Sequence, residues 1–280
     1  MSQTSSISPS TTKLNPFFIF VAVLGLFTVG AGDLLKATAG YDDLGWIIAQ
    51  WLAVFGSVLI AIAPVAYLGT LKKRIGILAV TLSSLAFLAR AAAELPTLID
   101  LAYENDRFWG PFFYRAVGAS YLMIAISIFS ILWLKEERQS RHDRSPEVSI
   151  APDFRTLAAI GVTTLIISIS YFLGATPGTG GRMPNILATA GPLIIVVVLI
   201  ATFVQSSKLF GRTSVILGIL AFAISGLSSL PWAISDTAFT SDTWARFLGN
   251  GCSGIFHLIL GLVLFSAAKF SRDSYTTGRN

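Results

Sequence analysis

With 54% hydrophobic and only 12% charged residues, the 280-residue chain has too little polar surface to solvate a globule, since soluble domains carry about 25% charged residues. Its net charge of +5 would suit a nucleic-acid partner only if the basic residues formed a patch, and they follow the boundaries of long apolar runs instead. Cys252 is the single cysteine, which excludes an intramolecular disulfide and a cysteine-rich metal site.

Residues 1–15 carry one lysine and many hydroxyls, without the basic start and small-residue cleavage site of a signal peptide, and read as a disordered tail ahead of a retained helix. Apolar runs then follow at 16–36, 44–70, 76–98, 111–134, 155–175, 185–207, 213–235 and 244–268. Each matches or exceeds the roughly 17–25 residues that cross a bilayer. In hydrocarbon every backbone N–H and C=O must be paired within the protein, and runs of this length do so as helices. The sequence therefore predicts an all-α, polytopic transmembrane bundle of about eight helices. Pro64 and Pro192 mark kinks in the second and sixth spans. The glycine-rich stretch 174–181 reads as a turn.

The longest polar connection, 135–153, separates a first four-helix unit (16–134) from a second (154–270), with a short tail at 271–280. Fourteen of the 20 Lys and Arg residues fall on the side of the termini and of this linker, among them Lys72, Lys73, Arg74, Lys135 and Arg138. The positive-inside bias makes that side cytoplasmic and predicts a plasma-membrane protein with both termini inside. Trp46, Trp109, Trp244 and Tyr103 then fall at the outer interface and Trp133 at the inner one, as an aromatic belt does.

Gly76-Ile-Leu-Ala79 recurs as Gly218-Ile-Leu-Ala221, 142 residues later, and this register pairs Glu94 with Asp236. After a shorter outer loop, Arg115-x-x-Gly118 falls on Arg246-x-x-Gly249. The pattern suggests an internal duplication of two units in the same orientation, related by an axis along the membrane normal.

A charge at the bilayer centre costs about 2.5–3.5 kcal/mol on insertion scales, so ionisable residues inside spans are the first candidates for function. Ser83, Phe87, Arg90 and Glu94 share one face of the third span, and Ser225, Ser229, Trp232 and Asp236 form a similar stripe in the seventh. In the eighth span, Arg246, Asn250, Gly254, His257 and Gly261 share a face; its glycines allow close helix approach, and His257 can change charge near neutral pH. Asp33 and Lys36 close the first span as an i, i+3 pair. The expected site is a polar cluster in the outer half of the membrane, formed by Asp33, Lys36, Arg90, Glu94, Arg115, Asp236, Arg246 and Asn250, with His257 deeper. Arg90 should face the bundle interior and pair with Glu94 first and Asp33 second.

The blander readings are a structural ion pair at Arg90 and Glu94, interfacial solvation of the residues at span ends, and interhelical hydrogen bonding by His257. His142 and His257 are the only histidines and lie in different regions, so a bis-histidine haem is excluded, and no nucleotide-binding, nucleophile-elbow or zinc-protease motif is present. No metal or cofactor is expected. The expected partners are the lipid bilayer, a small polar or anionic ligand and other membrane proteins, with no nucleic acid. Three functions stay open: a transporter or channel for small solutes or ions, a membrane accessory, assembly or sensory protein, and an enzyme acting on a lipid-like substrate through Glu94, Asp236 or His257.

Overall fold

In the computed structural model the apolar runs are helices, as the pairing of backbone groups in lipid requires. The structure describes residues 16–39, 44–66, 71, 75–98, 106–141, 154–176, 182–234 and 242–276. They form α1 (Pro16–Thr38), α2 (Leu44–Ala66), α3 (Ile77–Leu98), α4 (Asp106–Arg141), α5 (Phe154–Gly174), α6 (Arg182–Ala201), α7 (Phe203–Phe210), α8 (Arg212–Ile234) and α9 (Asp242–Thr276), with no strand among the described residues. All but the short α7 are long and apolar enough to cross a membrane, and the chain is a multi-pass integral membrane protein.

Three element ends depart most from expectation. The sixth span stops at Ala201 instead of 207, because the chain turns at Thr202 before α7. The Thr202 amide still donates to the Val198 carbonyl at 2.9 Å, its hydroxyl donates to the same oxygen at 2.8 Å and contacts Ser206 Oγ at 3.0 Å, and such back-bonding bends a helix without ending its ladder. Helix α4 continues to Arg141, into the expected linker, and α9 continues to Thr276, into the expected tail. Residues 1–15 and 142–153 lie outside the described residues.

Packing follows chain order. Among the described residues, α1 packs on α2, α2 on α3, α3 on α4, α4 on α5, α5 on α6, α6 on α8 and α8 on α9, and α9 returns to α1. Among the described residues no other pair of spanning helices brings its backbones together, so the eight spans form a closed ring, bridged inside only by side chains. Trp51, Phe55, Trp133, Val197 and Phe265 are exposed, whereas Gln50, Ser57, Glu94, Ser120 and Ser168 are buried, so polar groups are inside and large apolar ones outside.

The seams on either side of α1 are the tightest. A Cβ at Gly25 would lie 2.8 Å from the Gly56 carbonyl oxygen, and one at Gly56 would lie 2.6 Å from that of Gly25, so these helices meet backbone to backbone. Ring closure uses the same device, since Cβ atoms at Gly30 and Gly254 would fall 2.9 and 2.8 Å from each other's carbonyl oxygens.

Gly76 (φ +88°) and Gly211 (φ +83°) adopt a left-handed conformation immediately before the third span of each half. They stand 135 residues apart. The sequence match instead pairs Gly76 with Gly218, which lies seven residues further on, inside α8. Seven residues are two helical turns, so that match keeps the face of the helix but slides along its axis.

Candidate functional site

The ring encloses a cavity of about 440 Å³ to which every spanning helix contributes. Its residues come from the ends of the helices remote from the termini. Asp33 and Lys36 stand in the last turns of α1, Trp46 and Gln50 in the first turns of α2, and Arg90 and Glu94 toward the end of α3. Opposite them, α4 supplies Phe113 and Tyr114, α5 supplies Ser170 and Tyr171, and α6 supplies Asn185. Ser228 and Ser229 from α8 and Asn250 and Ser253 from α9 complete the wall.

The ionised residues gather on the α1–α3 side. Glu94 accepts from Lys36 Nζ at 3.0 Å through Oε2 and from Arg90 Nη1 through Oε1, so one buried carboxylate serves two cations. Lys36 also lies 3.9 Å from Asp33 Oδ1. Asp33 Oδ2 accepts from Ser253 Oγ at 2.7 Å and stands 3.2 Å from His257 Nδ1. That nitrogen is also 2.9 Å from the Ser253 carbonyl oxygen, and with acceptors on both sides it carries the ring proton. The side chains of Asp33, Lys36 and Glu94 are 4–6% exposed, against 24% for Arg90, so Arg90 is the member of the group most open to the cavity.

The facing wall is aromatic and hydroxylated. Tyr171 stacks on Tyr121 with centroids 5.6 Å apart and planes 18° apart, and Tyr114 lies 6.2 Å from Tyr171. The Arg90 guanidinium carbon is 5.8 Å from the centroid of the Phe113 ring, a cation–π distance. A smaller cavity of about 70 Å³ shares Tyr171, Ser228, Ser229 and Ser253 with the large one and adds Tyr121, Ser225 and His257. On the α1–α3 side, Leu26, Val29 and Ile60, packed with Phe87, Leu260 and Leu264, fill the ring nearer the termini.

Six of the nine residues expected at the site, Asp33, Lys36, Arg90, Glu94, Asn250 and His257, line one of the two cavities. Arg115 does not. It is exposed, because it follows Tyr114 by one position, about 100° around α4, and so leaves the cavity face that Tyr114 occupies. Asp236 lies outside the described residues, as does the side chain of Arg246. Trp46, expected in an interfacial belt, is buried, since it shares a face of α2 with Gln50 at i, i+4 and that face lines the cavity. Two stripe residues serve packing: Gly254 closes the ring on α1, and a Cβ at Gly261 would lie 2.6 Å from the Phe27 ring.

Sequence reasoning missed Gln50, Tyr121, Tyr171, Asn185 and Ser253. Gln50 had a signal, an amide within an otherwise apolar second span. The tyrosines and Ser253 had none, because such residues occur on every face of a membrane helix. No group of three or more His, Cys, Asp or Glu suited to a metal occurs among the described residues. Neither a family model, a curated protein nor a solved structure matches the chain.

Proposed function

We propose that the protein is a transporter or channel for a small polar solute, which it holds in the lumen of the eight-helix ring. The observation that carries this reading is the cavity itself: all eight spans line it, and it contains the ionisable residues that a membrane protein otherwise avoids. A purely structural ion pair needs no enclosed polar space of this size beside it. Catalysis by a lipid-modifying enzyme needs an acid or base free to act, and both carboxylates here are engaged by protein partners.

In this reading the distribution of Lys and Arg places the termini in the cytoplasm and the cavity toward the outside of the plasma membrane. The apolar group around Leu26, Val29 and Ile60 then lies between the cavity and the cytoplasm. Internal duplication is supported by spacings within the cavity wall. Gln50 and Asn185 stand 135 residues apart, as Gly76 and Gly211 do, while Tyr114 and Asn250, and Tyr121 and His257, stand 136 apart. Carriers built from parallel repeats place their sites near the axis relating the repeats.

The test uses Ala188→Cys on a Cys252→Ser background, because Ala188 lines both cavities. A small charged methanethiosulfonate applied outside intact cells should modify it. In proteoliposomes, at least one of glycerol, alanine, benzoate and choline should cross faster than in empty vesicles, and modification should block that flux. A cysteine inert from both sides of the membrane would make the ring a sealed core and end the proposal.

A further inference from the structure

The wall of the large cavity has formal charges that cancel, with Asp33 and Glu94 against Lys36 and Arg90, yet its hydrogen-bonding capacity is lopsided. Glu94 spends one oxygen on Lys36 and the other on Arg90, and Asp33 is held by Ser253 with His257 beside it. Both carboxylates thus have a partner, and Asp33 Oδ1, which accepts no hydrogen bond among the described residues, faces the Lys36 ammonium at 3.9 Å. Arg90, by contrast, makes one hydrogen bond, through Nη1, and its other N–H groups have no partner among the described residues. It is also the most exposed member of the ion group. A cation entering this space would meet carboxylates already neutralised, whereas an anion would meet a guanidinium with donors to spare.

A second and independent observation concerns Gln50, which is 3% exposed, lines the cavity, and has a side-chain oxygen with no hydrogen-bond donor among the described residues. A buried amide oxygen left without a donor costs free energy, so an occupant whose N–H or O–H group reached it by a small rotation of the Gln50 side chain would be favoured. The third feature is the aromatic wall of Phe113, Tyr114 and Tyr171, whose neighbouring rings are inclined to one another by 85° and 40° and so offer both faces and edges. The volume of about 440 Å³ is near the small end of the roughly 300–1,000 Å³ of ligand pockets, too small for a whole phospholipid and larger than an inorganic anion needs.

Resting on the lumen as a solute site, we infer that its occupant is a small organic carboxylate with a planar apolar body and one hydrogen-bond donor. The carboxylate takes the free fork of Arg90, bidentate pairing being the strong mode of guanidinium recognition. The donor group satisfies Gln50, and the body lies against the aromatic wall.

The experiment measures thermal stabilisation of the purified full chain by the three hydroxybenzoate isomers, against benzyl alcohol, benzylamine and inorganic phosphate. At least one hydroxybenzoate should raise the melting temperature saturably, and none of the other three should. Arg90→Lys, which keeps the charge beside Glu94 but removes the fork, should weaken that binding at least tenfold. Gln50→Leu, which leaves the ion group intact and so guards against a folding defect, should weaken the hydroxybenzoate several-fold and leave unsubstituted benzoate unchanged. Stabilisation by benzylamine, benzyl alcohol or phosphate in preference to every hydroxybenzoate would overturn the carboxylate assignment and leave the solute site standing. So would a hydroxybenzoate whose affinity neither variant changes. If no probe binds while the cysteine at position 188 still reacts from outside, the carboxylate inference falls and the aqueous lumen remains.

Discussion

Lys36 and Glu94 join helices that are not neighbours in the ring: α1 and α3 both pack on α2 and not on each other, yet Lys36 Nζ reaches Glu94 Oε2 at 3.0 Å. The pair is a strut on the inner side of α2, and Arg90 completes it from one turn earlier on α3. Both ends of the strut are buried more deeply than Arg90, which makes Lys36 the principal partner of Glu94 in energetic terms.

Glu94→Gln should therefore be the most damaging substitution in the group. It leaves two cations facing a neutral amide, and breaking a buried pair costs about 3–5 kcal/mol. Arg90→Ala should cost less, because Arg90 is the partly exposed partner. Thermal unfolding in detergent reads both, and Lys36→Met combined with Glu94→Gln should recover part of the loss. Equal stability of Glu94→Gln and wild type, with no coupling in the double-mutant cycle, would show that the strut is energetically idle.

Ring closure depends on small residues. Gly254→Val should sharply lower the yield of folded protein, because its Cβ would meet the Gly30 carbonyl oxygen at 2.8 Å and that atom is backbone. Gly251→Ala is the matched control on the same helix, with its nearest neighbour, Ala37 Cβ, at 3.9 Å. Comparable loss in both variants would argue for a general intolerance of α9 to substitution instead of a seam at Gly254.

Ser253→Ala should destabilise by about 1.5–3 kcal/mol, the range for a hydrogen bond to a charged group, because it removes the 2.7 Å bond to Asp33 Oδ2. Ser253→Thr restores the hydroxyl and should recover most of the stability. If alanine and threonine behave alike, the Asp33 carboxylate does not depend on this contact.

Orientation has its own test. On a Cys252→Ser background, Asp106→Cys and Thr240→Cys should react with an impermeant thiol reagent outside intact cells, and His142→Cys should not. Labelling at position 142 from outside would reverse the placement of the termini.

The eight spans were legible in the sequence because a bilayer imposes one rule, a length of unbroken apolar chain, that needs no knowledge of neighbours. Arg90 and Glu94 were legible for the converse reason, as ionisable groups too costly to face lipid and spaced one turn apart. What was hidden depends on helices meeting in space. Nothing local announces that Lys36 bridges past α2 to Glu94, or that Tyr171 faces Arg90 across the lumen. That Arg115 lies outside the described cavities while Tyr114 lines one depends on a rotation of about 100° around α4 that no spacing in the sequence marks. The 142-residue match and the 135-residue spacing of the left-handed glycines at 76 and 211 differ by two helical turns, a slide that helical periodicity in a sequence does not resolve.

The seam between α9 and α1 also sets an order of events during biogenesis. Asp33 and Ser253 are 220 residues apart, and ribosomes add about 5–20 residues per second, so α1 waits roughly 10–45 seconds for the helix that completes its partners. Until then Asp33 lacks Ser253 and His257, and the glycine face around Gly30 has nothing to close on. The ring stays open meanwhile, with Asp33 and its i, i+3 neighbour Lys36 at the unclosed α1 edge.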